Sequence, residues 1–313
     1  MVRVSLDSAS IMVRLALTLL GVTLVICHSA PAQIAPISVD TPYNHITIER
    51  FGSVVEMRSL WRTTIYRESA VDMSDLSHLI VPYTRFIAAS ALFDSVPKNV
   101  LMIGLGGGGL NQFFEKAFPG ASFETVEIDQ TVFRLAQEHM AFRISEKNKV
   151  TILDGRMFLR RSKTIYDLII LDAFRGGFVP PHLKTVEFYR LAQTHLATDG
   201  IFVANVHDNT DLFASDLRTM LAVFPQVGFF DVSLTPNAVI VGANFGSPSL
   251  QDILAKVQPS RFNEIFRRNV DLPRLRGAFH IAARGSNETA PILTDDFAPT
   301  EFLDAARRNN LRQ

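Results

Sequence analysis

Apolar runs without polar alternation recur through the middle of the chain, separated by stretches with helical spacing. Val100-Leu101-Met102-Ile103 is the first such run and the strand within Tyr166 to Phe174 the last; Ser122 to Ile128 and Lys149 to Leu153, which carry polar residues, read as the second and third strands between them. Runs of this kind predict parallel strands covered on both faces, since a half-exposed strand would alternate. Helices are expected over Leu110 to Phe118, ended by Pro119-Gly120, over Gln130 to Ala141, and over Glu187 to Ala197, closed by Asp199-Gly200. Ile201 to Val206 is a fifth strand. Gln226 to Ser233 and Ala238 to Ala243 read as a final antiparallel pair joined through Thr235-Pro236-Asn237, and Gln251 to Arg268 as a further helix. Strands alternating with helices predict an α/β fold with a doubly wound, Rossmann-like sheet.

Ahead of this region the pattern changes. Leu15 to Cys27 is an apolar run preceded by Arg14 and followed by Ala30-Pro31-Ala32, so residues 1–32 read as a secretory leader cleaved before Gln33. The run is short for a membrane span, and a retained N-terminal anchor is the alternative. The first reading predicts a secreted or periplasmic protein, the second membrane attachment. Residues 33–44 hold Pro36 and Pro42 without a clear period and are expected to be a linker. Alternation at Ile46, Ile48 and Val54 around Phe51-Gly52-Ser53 predicts short strands from His45 to Met57. Residues 45–95 thus read as a small β region ending in a helix from Pro82 to Phe93, and residues 96–313 as the nucleotide-binding domain.

The chemistry clusters at strand ends. After the first strand, Gly104, Gly106, Gly107, Gly108 and Gly109 let the backbone turn sharply and approach a ligand closely. Glu127 closes the second strand, where an acid can accept hydrogen bonds from both hydroxyls of a ribose. Asp154-Gly155 follows the third strand, placing an acid that can accept from an adenine amino group. Asp172 lies at the carboxyl end of the fourth, beside the crevice. Gly104-x-Gly106-x-x-Gly109 also satisfies the dinucleotide fingerprint, so the loop alone leaves NAD and an adenosyl-sulfonium compound both open.

The Gly104-Leu105-Gly106-Gly107-Gly108 loop, Val126-Glu127-Ile128-Asp129, Asp154-Gly155, the Tyr166 to Phe174 strand and Thr185-Val186-Glu187-Phe188-Tyr189 together resemble the spermidine synthase-like (polyamine aminopropyltransferase) family. The likeness extends from about Ile46 to the stretch Leu293 to Glu301. It implies a class I methyltransferase fold with a seven-stranded sheet, a small N-terminal sheet and a homodimer. It further implies S-adenosylmethionine or its decarboxylated form as co-substrate, with Glu127 on the ribose, Asp154 on the adenine and the glycine loop on the tail. Asp172 matches the first acid of the family's D-x-x-D catalytic segment, which orients the attacking amine and helps it lose a proton. Tyr83 falls where the family places a tyrosine beside that acid.

The chain departs from the family where charge matters. Gly107 stands where the family loop carries an aspartate for the tail amine, so the site is expected to prefer intact S-adenosylmethionine over the decarboxylated form. Arg175 replaces the second acid of D-x-x-D, and Tyr83-Thr84-Arg85 replaces a tyrosine-histidine-glutamate segment; both bring guanidinium groups that would repel an ammonium. Arg175-Gly176-Gly177-Phe178-Val179-Pro180-Pro181-His182 sits where a gate over the crevice would lie, or is an ordinary connecting loop. His207-Asp208 reads as a surface turn, and Asp295-Asp296 as a helix cap or a brace for the site's rim.

Lysine plus arginine equals aspartate plus glutamate at 31 each, which argues against a nucleic-acid partner. The single cysteine, Cys27, lies in the leader, so the mature chain would have neither disulfides nor thiolate metal sites, and no metal is expected. The 24 phenylalanines point to a core of large rings. Three functions are compatible with these residues: aminopropyl transfer to a small-molecule amine or an unknown acceptor, methyl transfer from the same pocket, or nucleoside binding without catalysis in an exported relative.

Overall fold

The computed structural model describes residues 36–93, 96–232, 235–285 and 289–299. The expected leader with Cys27, and Thr300 and Glu301, lie outside these residues.

The described chain begins as a meander. Strands β1 (Ile37–Asp40), β2 (His45–Phe51), β3 (Val54–Trp61) and β4 (Thr64–Asp72) pair antiparallel in that order. The expected linker therefore contains a strand, since Ile37 to Asp40 pairs in register with Ile48 to His45. Four residues are too short to display a period. β4 was likewise invisible as alternation, because its sequence TIYRESAVD places polar groups on both faces.

Helix α1 (Pro82–Ala89) and a 3₁₀ turn (Ser90–Leu92) lead into the large sheet. There β5 (Asn99–Ile103), α2 (Gly109–Ala117), β6 (Ser122–Glu127), α3 (Gln130–His139), β7 (Asn148–Ile152), α4 (Gly155–Arg161) and β8 (Tyr166–Leu171) follow. Then come α5 (Val186–Thr194), β9 (Leu196–His207), α6 (Phe213–Leu221), β10 (Gln226–Asp231), β11 (Asn237–Ala243), α7 (Leu250–Lys256), α8 (Glu264–Asn269), α9 (Leu272–Ala278) and β12 (Phe279–Ile281). The sheet order is β12-β10-β11-β9-β8-β5-β6-β7. β7, β6, β5, β8 and β9 run parallel, and β11, β10 and β12 continue antiparallel.

The expected seven strands are present, and three-residue β12 extends the sheet on β10 to make eight. The helix expected over Gln251 to Arg268 is two helices. Pro259 starts a 3₁₀ turn between them, and Ser249 and Asn263 each cap a new start by accepting a backbone N–H. Asp199-Gly200 does not close a helix but lies within β9, in a stretch where pairing with β8 slips from Leu196 to Ile201.

Phenylalanines fill both faces of the sheet. Phe86, Phe113, Phe114 and Phe266 pack on one side, and Phe188, Phe202 and Phe224 on the other. Topology then fixes where a ligand can bind. The chain leaves β5 for β6 and β7 on one side and returns to β8 and β9 on the other, so the crevice opens above the carboxyl ends of β5 and β8. Gly104 and Asp172 come directly after those two ends. A Cβ on Gly104, whose φ is +102°, would run into the Asp172 carbonyl, so glycine is required for the two loops to part here.

Candidate active site

A cavity of about 280 Å³ lies at this switch point. Its floor is the turn Gly104-Leu105-Gly106, and its walls bring in Glu127, Asp154, Asp172, Arg175 and His182 from successive strand ends. β4 and α1 close it from above with Glu68 and Tyr83.

The glycine loop divides its work. Gly104 and Gly106 line the cavity, whereas Gly107 and Gly108 are not part of its lining. Gly107 packs against Met140 and Ser69, and left-handed Gly108 packs against Phe142 while starting α2. The expectation of ligand contact thus meets a different geometry at these two glycines.

Glu127 is buried, and its carboxylate already braces the loop: Oε2 accepts from Leu105 N–H at 3.0 Å and Oε1 from Asp129 N–H at 2.9 Å. Burial raises its ionisation above the usual carboxylate range, and those two hydrogen bonds oppose the rise. The residue lines the cavity, so its carboxylate can also accept from a ligand. Asp154 caps α4 by accepting from Met157 N–H at 2.9 Å, and its other oxygen lies 2.7 Å from His182 Nε2. Burial pushes Asp154 upward, but the hydrogen bonds from His182 and Met157 outweigh it and leave the acid below its usual range. His182, which the sequence presents as a loop histidine, is therefore held on the cavity wall.

Asp172 is the most constrained of the acids. Asn205 Nδ2 donates to its Oδ1 at 2.8 Å, and the Tyr83 hydroxyl approaches its Oδ2 at 3.4 Å. Asn205 is itself fixed by Asn237, whose Nδ2 donates to Asn205 Oδ1 at 3.0 Å. Burial pushes Asp172 up to about 6, against the effect of the Asn205 and Tyr83 contacts. Burial also raises Tyr83 well above its ordinary value, aided by the negative charge of Asp172, so the phenol stays a donor.

Glu68 is a further acid here that sequence reading passed over. It accepts from the Ser59 hydroxyl, and burial, with the charges of Asp172 and Glu127, raises it to about 8. No local pattern marks it: it is the extra residue where the pairing of β4 with β3 slips between Arg67 and Ser69.

The two substituted arginines part company. Arg85 Nε donates to the Leu79 carbonyl at 2.8 Å, and the residue does not line the cavity, so the repulsion expected from it is absent. Arg175 does line the cavity; its Nε donates to the Tyr43 carbonyl at 3.3 Å and its guanidinium lies 5.8 Å from the centre of the Trp61 ring. The segment after it is packed, with Gly176 against Trp61, Gly177 against Tyr66, and Phe178 edge-on to Trp61 at 5.2 Å.

His207 is not in a surface turn. It ends β9 buried, with its ring 5.0 Å from that of Phe174. Asp295 braces the rim: both its oxygens pair with Arg156, at 2.7 and 2.6 Å, and Thr185 donates to it at 2.7 Å.

Known proteins share this fold. A solved structure described as a probable spermidine synthase from Corynebacterium glutamicum superposes with a TM-score of 0.65 at 22% identity, over 85% of this chain and 97% of that one. A polyamine aminopropyltransferase of Vibrio vulnificus is 29% identical over 226 residues, 71% of this chain and 75% of that protein. An eEF1A lysine and N-terminal methyltransferase of Xenopus laevis is 34% identical over 147 residues, 44% of this chain and 21% of that protein. The family model for the spermine/spermidine synthase domain matches residues 80–251, more than half of the chain and the whole run from α1 to the start of α7. On that match, and with the strand-end acids where the sequence signature anticipates them, the chain belongs to the spermine/spermidine synthase family.

Proposed function

We propose that this chain transfers an aminopropyl group from decarboxylated S-adenosylmethionine to a small-molecule amine, with Asp172 orienting the attacking nitrogen and taking its proton. The observation that carries this reading is the setting of Asp172: a cavity-facing carboxyl, braced by Asn205 at 2.8 Å and brought up to about 6. It is ionised at neutral pH yet a better proton acceptor than an ordinary aspartate. Glu68 supports the same reading, since it returns an acid to a cavity that has lost others from the family pattern.

In the transfer, the nitrogen lone pair forms the new N–C bond as the C–S bond breaks. The bonding pair returns to sulfur, leaving it neutral in methylthioadenosine, and the nitrogen's surplus proton passes to Asp172. Positioning supplies most of the acceleration, because a sulfonium is already a good leaving group. In this reading Glu127 holds the ribose through its carboxylate, Asp154 the adenine amino group, and Gly104 to Gly106 the tail.

One observation favours methyl transfer instead. Position 107 has no carboxylate for the tail amine, and Met140 and Ser69 fill the space beside it. The test is titration of the full chain with S-adenosylmethionine, its decarboxylated form and methylthioadenosine, with product analysis and the Asp172→Asn variant. Tighter binding of the decarboxylated form, with methylthioadenosine released only when an amine is present, supports aminopropyl transfer. Preference for the intact form, with S-adenosylhomocysteine as product, replaces it by methyl transfer.

A further inference from the structure

The acceptor side of the cavity is asymmetric in charge. Glu68, Tyr83 and Asp172 gather at one part of the wall, which suits an amine. Three residues beyond Asp172, the wall is Arg175. Its Nε is committed to the Tyr43 carbonyl, which aims the guanidinium from a fixed point, and among the described residues no carboxylate pairs with it. Beside it, Trp61 Nε1 is a buried donor with no hydrogen-bond partner among the described residues. Phe178 and Gly176 pack on the same indole and hold it in place.

This arrangement rejects a diamine. The second ammonium of such a substrate would meet a guanidinium rather than an acid, and like charges facing each other in a crevice repel. It also leaves a half-buried cation on the cavity wall without an anion. We infer, building on the aminopropyl reading above, that the acceptor is a primary amine carrying a carboxylate at its far end, with the amine at Asp172 and the carboxylate at Arg175. A planar carboxylate matches the guanidinium fork of Arg175, which lines the cavity.

The experiment uses the full chain with decarboxylated S-adenosylmethionine and three acceptors of equal length: 1,4-diaminobutane, 4-aminobutanoate and n-butylamine, with shorter and longer ω-amino acids beside them. Methylthioadenosine release reads turnover. Calorimetric binding of each acceptor to the methylthioadenosine-loaded protein reads recognition without chemistry. An ω-amino acid should exceed the diamine by at least about tenfold in both readouts. Arg175→Asp should invert that order, and Arg175→Lys should retain it in weakened form. The inference is overturned if the diamine binds as well as every ω-amino acid, if no acceptor binds, or if a folded Arg175→Asp protein keeps the original order. Binding in the expected order without release from any acceptor would leave the acceptor class standing and remove the transfer reading alone.

Discussion

Met140 occupies the space that a side chain at position 107 would need: a Cβ built on Gly107 runs into Met140 Cε and Sδ and lies 2.9 Å from Ser69 Oγ. Met140 is fully buried and belongs to a small cluster with Ile46, Met57 and Leu135, so the loop is locked to α3 and to the N-terminal sheet.

Restoring an acid to this loop therefore should not simply restore a ligand contact. Gly107→Asp is expected to lower stability by about 1–3 kcal/mol, because a carboxylate must enter a filled apolar site. Adding Met140→Ala to Gly107→Asp opens the space, so the double variant should lose less than the two single losses summed. Denaturant unfolding of the four proteins checks this, and strict additivity would show that Met140 is not what excludes the side chain.

Asp172 must be ionised to accept a proton, and its ionisation lies at about 6. Turnover should accordingly be level above neutrality and fall about tenfold for each pH unit below 6. Asp172→Asn keeps the oxygen that accepts from Asn205 at 2.8 Å, so it should fold normally while losing at least about a hundredfold in rate. A pH–rate profile without an acid limb near 6 would remove Asp172 from the base role.

Asp172 was legible because a parallel strand buried on both faces announces its own end. Val100 to Ile103 and Leu168 to Leu171 are uninterrupted apolar runs, and the residue just past the end of such a run faces the crevice. Glu127 and Asp154 follow from strand position and the family resemblance instead, because β6 and β7 carry polar residues along their length. Neither route could reach Glu68, since β4 carries polar residues on both faces and shows no phase until its pairing with β3 is known. Nor does sequence say where a long side chain turns. Arg85 and Arg175 look alike on paper as acid-to-base replacements, yet the Leu79 carbonyl holds one away from the cavity and the Tyr43 carbonyl holds the other on its wall. Met140 in its place against Gly107 is similarly a matter of packing between segments about thirty residues apart, which local pattern does not encode.

Asp154 separates a structural role from a recognition role. Asp154→Ala removes the α4 cap at Met157 N–H, which costs about 1 kcal/mol of stability. Asp154→Asn retains an oxygen for that cap, so its melting temperature should stay near the parent's. Its amide N–H₂ would then face an adenine amino group, donor against donor, and methylthioadenosine should bind at least about tenfold more weakly. Thermal unfolding and calorimetry on both variants check this. Unchanged affinity in Asp154→Asn would move the adenine elsewhere.

Glu68 ties the stability of the fold to pH, in the opposite sense to a salt-bridged carboxylate. Its folded-state ionisation is raised to about 8 by burial and by the negative charges of Asp172 and Glu127, while the unfolded chain ionises near the ordinary value of 4.5. Between those values the folded state binds the extra proton, so stability falls as pH rises from about 4.5 to 8 and levels off above. Glu68→Gln keeps the hydrogen bond with the Ser59 hydroxyl and removes the titration. The variant should therefore exceed the parent in stability by at least about 1 kcal/mol at pH 8.5, with the gap closing toward pH 5. Turnover should move the other way above pH 8, where Glu68 is ionised and helps to hold the acceptor's ammonium while the amide offers that cation no charge. Urea unfolding at pH 5, 7 and 8.5 measures the first effect and acceptor KM the second. A gap that does not change with pH would place Glu68 in water, outside the acid cluster around Asp172.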